Sequence, residues 1–236
     1  MSNIRHALFL IKTMNNLSKL LFFFVLAAIG VTSCSKSDDN GTDCAEEQRR
    51  RDSINNARIE ALLKEQAPEL KAFAETNFGE DAQFDDSTGI WFKVHEPGEE
   101  GTYTRWLVPG SMGGLALASP TVEVKYVGKL MRTGEIFDQT PEDDPEDDTR
   151  SFQLGGVIPA WNIAFYPKEV RLNGNDYKIG GLTEKGLQKG AIIEIVAPSP
   201  YCYDNTEQKD KEGKVTIPKD SPLHFYIEVV DIRDKK

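Results

Sequence analysis

The sequence predicts an α+β architecture: an antiparallel sheet packed on one side by a short helix, preceded by an N-terminal helical arm. Three observations carry that expectation. Apolar and polar residues alternate where Val122, Val124, Tyr126 and Gly128 face one way and Glu123, Lys125 and Val127 the other. A second alternation sets Leu223, Phe225, Ile227 and Val229 against His224, Tyr226, Glu228 and Val230. Residues 96–120 are punctuated by Pro97, Gly98, Gly101, Pro109, Gly110, Gly113, Gly114 and Pro120, the chemistry of turns. Strands joined by such loops, with few helical stretches, pack as an antiparallel sheet with a helix on one side.

The chain opens with an address. Residues 20–28 form a short apolar run, preceded by Lys19 and followed by Val31, Thr32, Ser33 and Cys34. A basic flank, a brief apolar core and small residues before a cleavage point make a secretory signal over residues 1–34. The run is too short to span a bilayer, which takes about 20 apolar residues. A buried core helix would be the other reading, and it would need an apolar segment without a polar face at the extreme end of the chain. The ending at Cys34 resembles the lipobox of bacterial lipoproteins, which implies lipidation of Cys34 and an anchor in the cell envelope. The expected address is the outer membrane, on its periplasmic or surface face. Residues 35–44 are polar and read as a flexible tether. Their first six resemble the acidic export tags of Bacteroidetes surface lipoproteins. Residues 1–13 exceed what such a signal needs, so Met14 is an alternative start.

An arm follows over residues 45–84. Ile54, Ala57, Ala61 and Leu62 recur at helical spacing to about residue 66. Pro68 suits the first turn of a second, shorter helix with Leu70, Phe73 and Asn77 or Phe78 on one side. Such an arm suits either a homodimer through residues 45–78 or a helix packed on its own domain. Residues 85–236 then read as the strand-rich domain: Ile90 begins a short apolar strand, another is expected near 105–108, and residues 191–197 form a largely apolar one.

Charge and cysteine usage exclude several function classes. The formal net charge is −10. All the acidic residues follow Cys34, whereas Arg5, Lys12 and Lys19 precede it, so the remainder is more acidic still. Such a surface repels phosphate backbones, and no nucleic-acid partner is expected. The three histidines and three cysteines form no zinc-type spacing, and no Cys-x-x-Cys pair exists. Cys44 and Cys202 read as unpaired, although export would permit a bridge. The Gly110 to Gly114 cluster lacks the Gly-Lys-Ser/Thr ending of a phosphate loop.

Four segments carry a more specific resemblance. Val124, Lys125, Tyr126, Val127, Gly128, Lys129 and Leu130 lead to Thr133, Gly134, Glu135, Ile136, Phe137 and Asp138. Phe152, Gln153, Leu154, Gly155 and Gly156 lead to Val157, Ile158, Pro159, Ala160 and Trp161. Pro198, Ser199, Pro200, Tyr201, Cys202 and Tyr203 form the third, and Ile217, Pro218 and the strand from Leu223 to Val229 the fourth. In this order over 85–236 they resemble peptidyl-prolyl cis-trans isomerases of the FKBP type. The resemblance implies an FKBP-like sheet wrapped on a short helix and an activity on proline-containing exported polypeptides. It places Trp161 at the floor of an apolar cup, with Tyr126, Phe137 and Phe225 as aromatic walls and Val157, Ile158 and Ile217 completing the lining. Tyr203 would offer a hydroxyl to a substrate carbonyl, and Asp138 a carboxylate near the rotating bond. This chemistry calls for no cofactor and no metal.

The sequence also departs from that pattern. The interval from Trp161 to Gly190 is long, so residues 162–189 contain an insertion, with 182–189 expected to hold the C-terminal half of the family's helix. Ala160 stands where a glycine is usual, Arg150 where an aromatic helps close the cup, and Asp204 where a glycine follows the tyrosine. Residues 141–148 are a run of acids that reads as a solvated loop, or else as a cation site or a selector for basic clients, without calcium-loop spacing. Three functions remain open at this level: a working isomerase, a non-catalytic peptide-binding or chaperone-like module, and a scaffold.

Overall fold

The computed structural model describes residues 41–111, 113–141 and 148–234. The signal, Cys34, most of the tether and most of the acidic run lie outside these residues. The chain divides into two compact units with the boundary between Ala61 and Leu62. No described helix is long and apolar enough to cross a membrane.

The first helix, α1, spans Gly41–Asn77. Its first part carries local ion pairs on its exposed surface, Glu47 with Arg50 and Arg51 at 3.0 and 3.1 Å. The expected break at Pro68 is absent, and the helix runs through it. An interior proline costs about 3 kcal/mol, but the residues around it are held from outside the helix. Gln66 is buried and hydrogen-bonded to a distant loop, while Leu70, Ala74 and Phe78 are buried beside Met131 and Val196. Each large apolar side chain so buried contributes roughly 1.5–3 kcal/mol, enough together to offset the proline. Arg132 adds a bidentate pair to Glu69, at 2.9 and 2.7 Å.

Beyond α1 the strands are β1 (Gln83–Asp85), β2 (Ile90–Pro97), β3 (Leu107–Pro109), β4 (Leu115–Leu117), β5 (Thr121–Leu130), β6 (Ile136–Gln139) and β7 (Arg150–Gln153). A short helix, α2 (Pro159–Phe165), precedes β8 (Glu169–Leu172), β9 (Asn175–Lys178), β10 (Ala191–Ala197), β11 (Gln208–Lys209), β12 (Val215–Ile217) and β13 (Leu223–Arg233). The main sheet runs β1-β2-β10-β13-β5-β6, all antiparallel. β7 shares the same strand with β6: it pairs with residues 121–124 of β5, and β6 with residues 127–129. The strand expected near 105–108 begins at Leu107 instead, as half of the small β3–β4 hairpin.

The two long alternations behave as their spacing requires. Val122, Val124, Tyr126 and Leu130 are buried on β5, and Leu223, Phe225, Ile227 and Val229 on β13. The opposite face is also covered in part. Trp91, Val196 and His224 sit at paired positions there, and His224 lies 5.0 Å from the ring of Phe73 on α1.

The insertion is a hairpin and a clamp rather than a broken helix. β8 and β9 turn at Asn173 and Gly174, both with positive φ, at 52° and 81°. Asn-Gly is the pair that such a two-residue turn favours. Residues 182–189 are not helical, contrary to expectation. Leu182 and Leu187 are buried, but the backbone is spent on α2: Leu182 N donates to Ile163 O at 3.2 Å and Gly181 N to Pro167 O at 3.1 Å. Extended chain lying this close leaves no room for a helical turn. A Cβ at Gly181 would stand 1.7 Å from Tyr166 O.

Candidate active site

The cup is built around Trp161, which α2 presents from its first turn. Pro159 opens the helix at a position where a missing N–H costs nothing. Asn162, one residue on, ties the preceding loop to the helix: its Oδ1 accepts from Gly155 N at 2.8 Å and its Nδ2 donates to Val157 O at 3.0 Å. Val157 and Ile158 are thereby fixed at the rim.

Trp161 is 4% exposed, and three rings meet it edge-on: Tyr126 at 5.1 Å, Phe152 at 5.4 Å and Phe225 at 5.7 Å. Its indole N–H has no acceptor among the described residues, so ring contacts hold it. Each such contact is worth about 0.5–1.5 kcal/mol beyond area burial. Phe137 closes another side at 5.8 Å from Phe225. Its ring lies over Gly128, where a Cβ would stand 2.6 Å from Phe137 Cζ. The glycine in β5 is what lets that wall approach.

These residues line a cavity of about 240 Å³, with Asp138, Gly156, Val157, Ile158 and Tyr203 at its edge. Tyr126 donates its hydroxyl to Asp138 Oδ2 at 2.5 Å. Burial, then that bond to a carboxylate, push the Tyr126 phenol well above its ordinary range. The acid is therefore held by a tyrosine that stays protonated. Burial and the neighbouring Cys202 and Asp138 raise Tyr203 as well, and its hydroxyl makes no hydrogen bond among the described residues. It remains a donor for a ligand.

Eight of the nine residues expected at the site meet in this cavity. Ile217 does not: it is buried on β12 opposite Gln208, outside the lining. Arg150 is also outside it, donating Nη1 to Thr149 O at 3.0 Å. Phe152, two residues along β7, supplies an aromatic wall. Sequence reasoning quoted Phe152 only within a motif, although its spacing from Arg150 puts both on one strand face. Asn162 was missed entirely, since a lone asparagine announces no partner.

The turn that carries Tyr203 has its own anchor. Gln66 Nε2 donates to Ser199 Oγ and to Asp220 O, each at 3.0 Å, and its Oε1 accepts from Ser199 N at 2.8 Å. Asp204 and Asp220 adopt positive φ there, and Asp220 N donates to Asp204 O at 2.8 Å. Cys202 beside them is buried and unbridged, its thiol pushed up by burial; the side chain of Cys44 lies outside the described residues. Among the described residues no three His, Cys, Asp or Glu side chains are placed to hold a metal ion.

Residues 116–230 match the model of the FKBP-type peptidyl-prolyl cis-trans isomerases. This stretch is similar to FKBP-type domains. A curated relative of the FKBP-type domain, the Arabidopsis thaliana peptidyl-prolyl cis-trans isomerase FKBP20-1, is 29% identical over 119 residues, 50% of this chain and 48% of that protein. An Arabidopsis thaliana F-box/kelch-repeat protein is 26% identical over 110 residues, 46% of this chain and 26% of that one. The chain thus spans half or less of the length of these relatives. Among solved structures, a Pseudomonas syringae peptidyl-prolyl cis-trans isomerase is similar with a TM-score of 0.45 and 24% identity, covering 75% of this chain and 96% of its own.

Proposed function

We propose that the chain is a peptidyl-prolyl cis-trans isomerase acting on proline-containing exported polypeptides, anchored at the cell envelope by lipid on Cys34. The observation that carries the catalytic part is the cup itself: Trp161 beneath, Tyr126 holding Asp138, and Tyr203 with its hydroxyl open. Rotation about an X-Pro bond faces a barrier of about 18–20 kcal/mol from amide resonance, while the two isomers differ little in energy. No bond is made or broken, so no nucleophile is required. A proline ring seated on Trp161 between Phe225 and Phe137 would leave water, and the preceding carbonyl would lose the solvation that favours its planar, charge-separated form. Asp138 lies beside the twisting amide, and Tyr203 orients a backbone carbonyl. What is stabilised is the twisted state.

The envelope part of the reading rests on the sequence: the apolar run at residues 20–28 and the small residues ahead of Cys34. Several acyl chains on that cysteine would hold the domain at a membrane, where newly exported chains emerge.

Isomerisation of an X-Pro tetrapeptide by the full chain is the test, with Asp138→Ala and Tyr203→Phe beside it. We expect clear acceleration over the thermal rate and a drop of about tenfold or more in kcat/KM in each variant. A folded protein that leaves the thermal rate unchanged would overturn the catalytic reading and leave a peptide-binding module. Radiolabelled palmitate appearing on the native chain but not on Cys34→Ala would support the anchor, and equal labelling would refute it.

A further inference from the structure

A second cavity, of about 390 Å³, lies where the loop before β3 meets the insertion. Its lining includes Tyr103, Arg105, Val170, Arg171, Lys185 and Gln188, and it shares no residue with the cup. Arg105 is the unusual member. Its side chain is in the interior, the residue being only 5% exposed, and its Nη2 donates to Phe165 O at 3.3 Å. Nε and Nη1 are buried and find no acceptor within hydrogen-bond distance among the described residues.

Three of the surrounding acids have other partners. Asp234 accepts from the Tyr103 hydroxyl at 2.7 Å and acts on Arg105 only as a more distant charge. Glu100 at the rim pairs with Lys185, and Glu184 with Lys168 at 2.6 Å. What faces the guanidinium is the Tyr103 ring, 4.8 Å from its central carbon. Burial lowers the pKa of Arg105 to about 10, which still leaves it charged at neutral pH. A buried cation with unmet donors is costly until an anionic acceptor arrives. Glu100, Glu169 and Glu184 in the lining would repel a doubly charged anion more than a singly charged one.

We propose that this cavity binds a carboxylate, with Arg105 as its anchor. The carboxylate belongs either to a small free acid or to an acidic side chain on a polypeptide, the chemistry being the same. The site is separate from the proline cup, so it stands or falls independently of the isomerase reading.

The test is titration of the full chain with propionate, propionamide, inorganic phosphate and an end-blocked glutamyl tripeptide. Binding is read by calorimetry and by the Arg105 Nε–H resonance. We expect both carboxylates to shift that resonance, propionamide to leave it unmoved, and phosphate to bind more weakly. Arg105→Met, which keeps the apolar stem and removes the unpaired charge, should weaken carboxylate binding by about tenfold or more. Tripeptide affinity well above that of propionate assigns the site to polypeptides, and equal affinities assign it to a free acid. Unmoved resonances with every carboxylate, equal shifts with propionamide, tighter phosphate, or unaltered binding in Arg105→Met would each overturn the proposal. The resonance is read on the native protein, so the answer does not depend on how well the variant folds.

Discussion

The cup and the insertion both lean on the short helix Pro159–Phe165, and they use it in opposite ways. The cup takes the helix's side chains: Trp161 meets three rings, and Asn162 hands its hydrogen bonds to the loop beside it. The insertion takes the backbone, with residues 181–186 laid against the carbonyls of Ile163, Phe165, Tyr166 and Pro167. A surface made of side chains tolerates adjustment ring by ring. One made of backbone contacts has no slack, since nothing can swing away. The first is built to receive a ligand, the second to hold the helix in place.

The sharpest way to break this comparison is to add a methyl group on the backbone side. Gly181→Ala would place Cβ 1.7 Å from Tyr166 O, and main chain cannot yield as a side chain does. We expect a loss of more than about 3 kcal/mol, on the scale of the largest core truncations, read by urea denaturation. Stability within 1 kcal/mol of the parent (about a fivefold change in the folding constant) would show that the clamp is loose. On the cup side, the methyl group at Gly128 would meet side-chain ring atoms of the partly buried Phe137 rather than main chain, so Gly128→Ala should cost less in stability than it does in substrate binding.

A smaller effect is expected at Gln66, which links α1 to the turn carrying Tyr203. Gln66→Leu leaves Ser199 N and Asp220 O in a buried place without this partner, at about 1–3 kcal/mol. If the turn depends on it, kcat/KM should fall further than in a surface variant of equal stability. Parallel changes in both would mean that Gln66 serves packing alone.

The smallest effect concerns pH. Burial raises the Glu194 pKa, but hydrogen bonds from His224 and His95 outweigh it, at 3.1 and 2.7 Å, and the folded value lies below the ordinary 4.5. A depressed folded pKa contributes stability that is present above 4.5 and is lost as pH falls through the folded value. Glu194→Gln should flatten the acid limb of the stability curve, by less than any of the changes above. An unchanged limb would mean that other carboxylates govern it.

How much of this was legible in the sequence differs by region. Eight of the nine expected site residues lie together because the strand alternation and the Pro-Ala-Trp start of the helix are local signals. Ile217 went astray because burial alone does not say which cavity a residue faces. Local propensity favours Pro68 as a helix start, and tertiary packing overrides that preference. The Asn173-Gly174 pair is a hairpin signal inside the insertion, legible from the two residues alone.

By itself the sequence determined the alternating strands, the aromatic lining of the cup and the acidic character of the chain, since each depends on spacing and composition. Only the tertiary structure decided that residues 182–189 clamp the helix rather than extend it, that Gln66 holds the Tyr203 turn, and that Arg105 is buried with two nitrogens lacking an acceptor among the described residues. Those facts depend on groups far apart in the chain meeting in space, and no local periodicity records such a meeting.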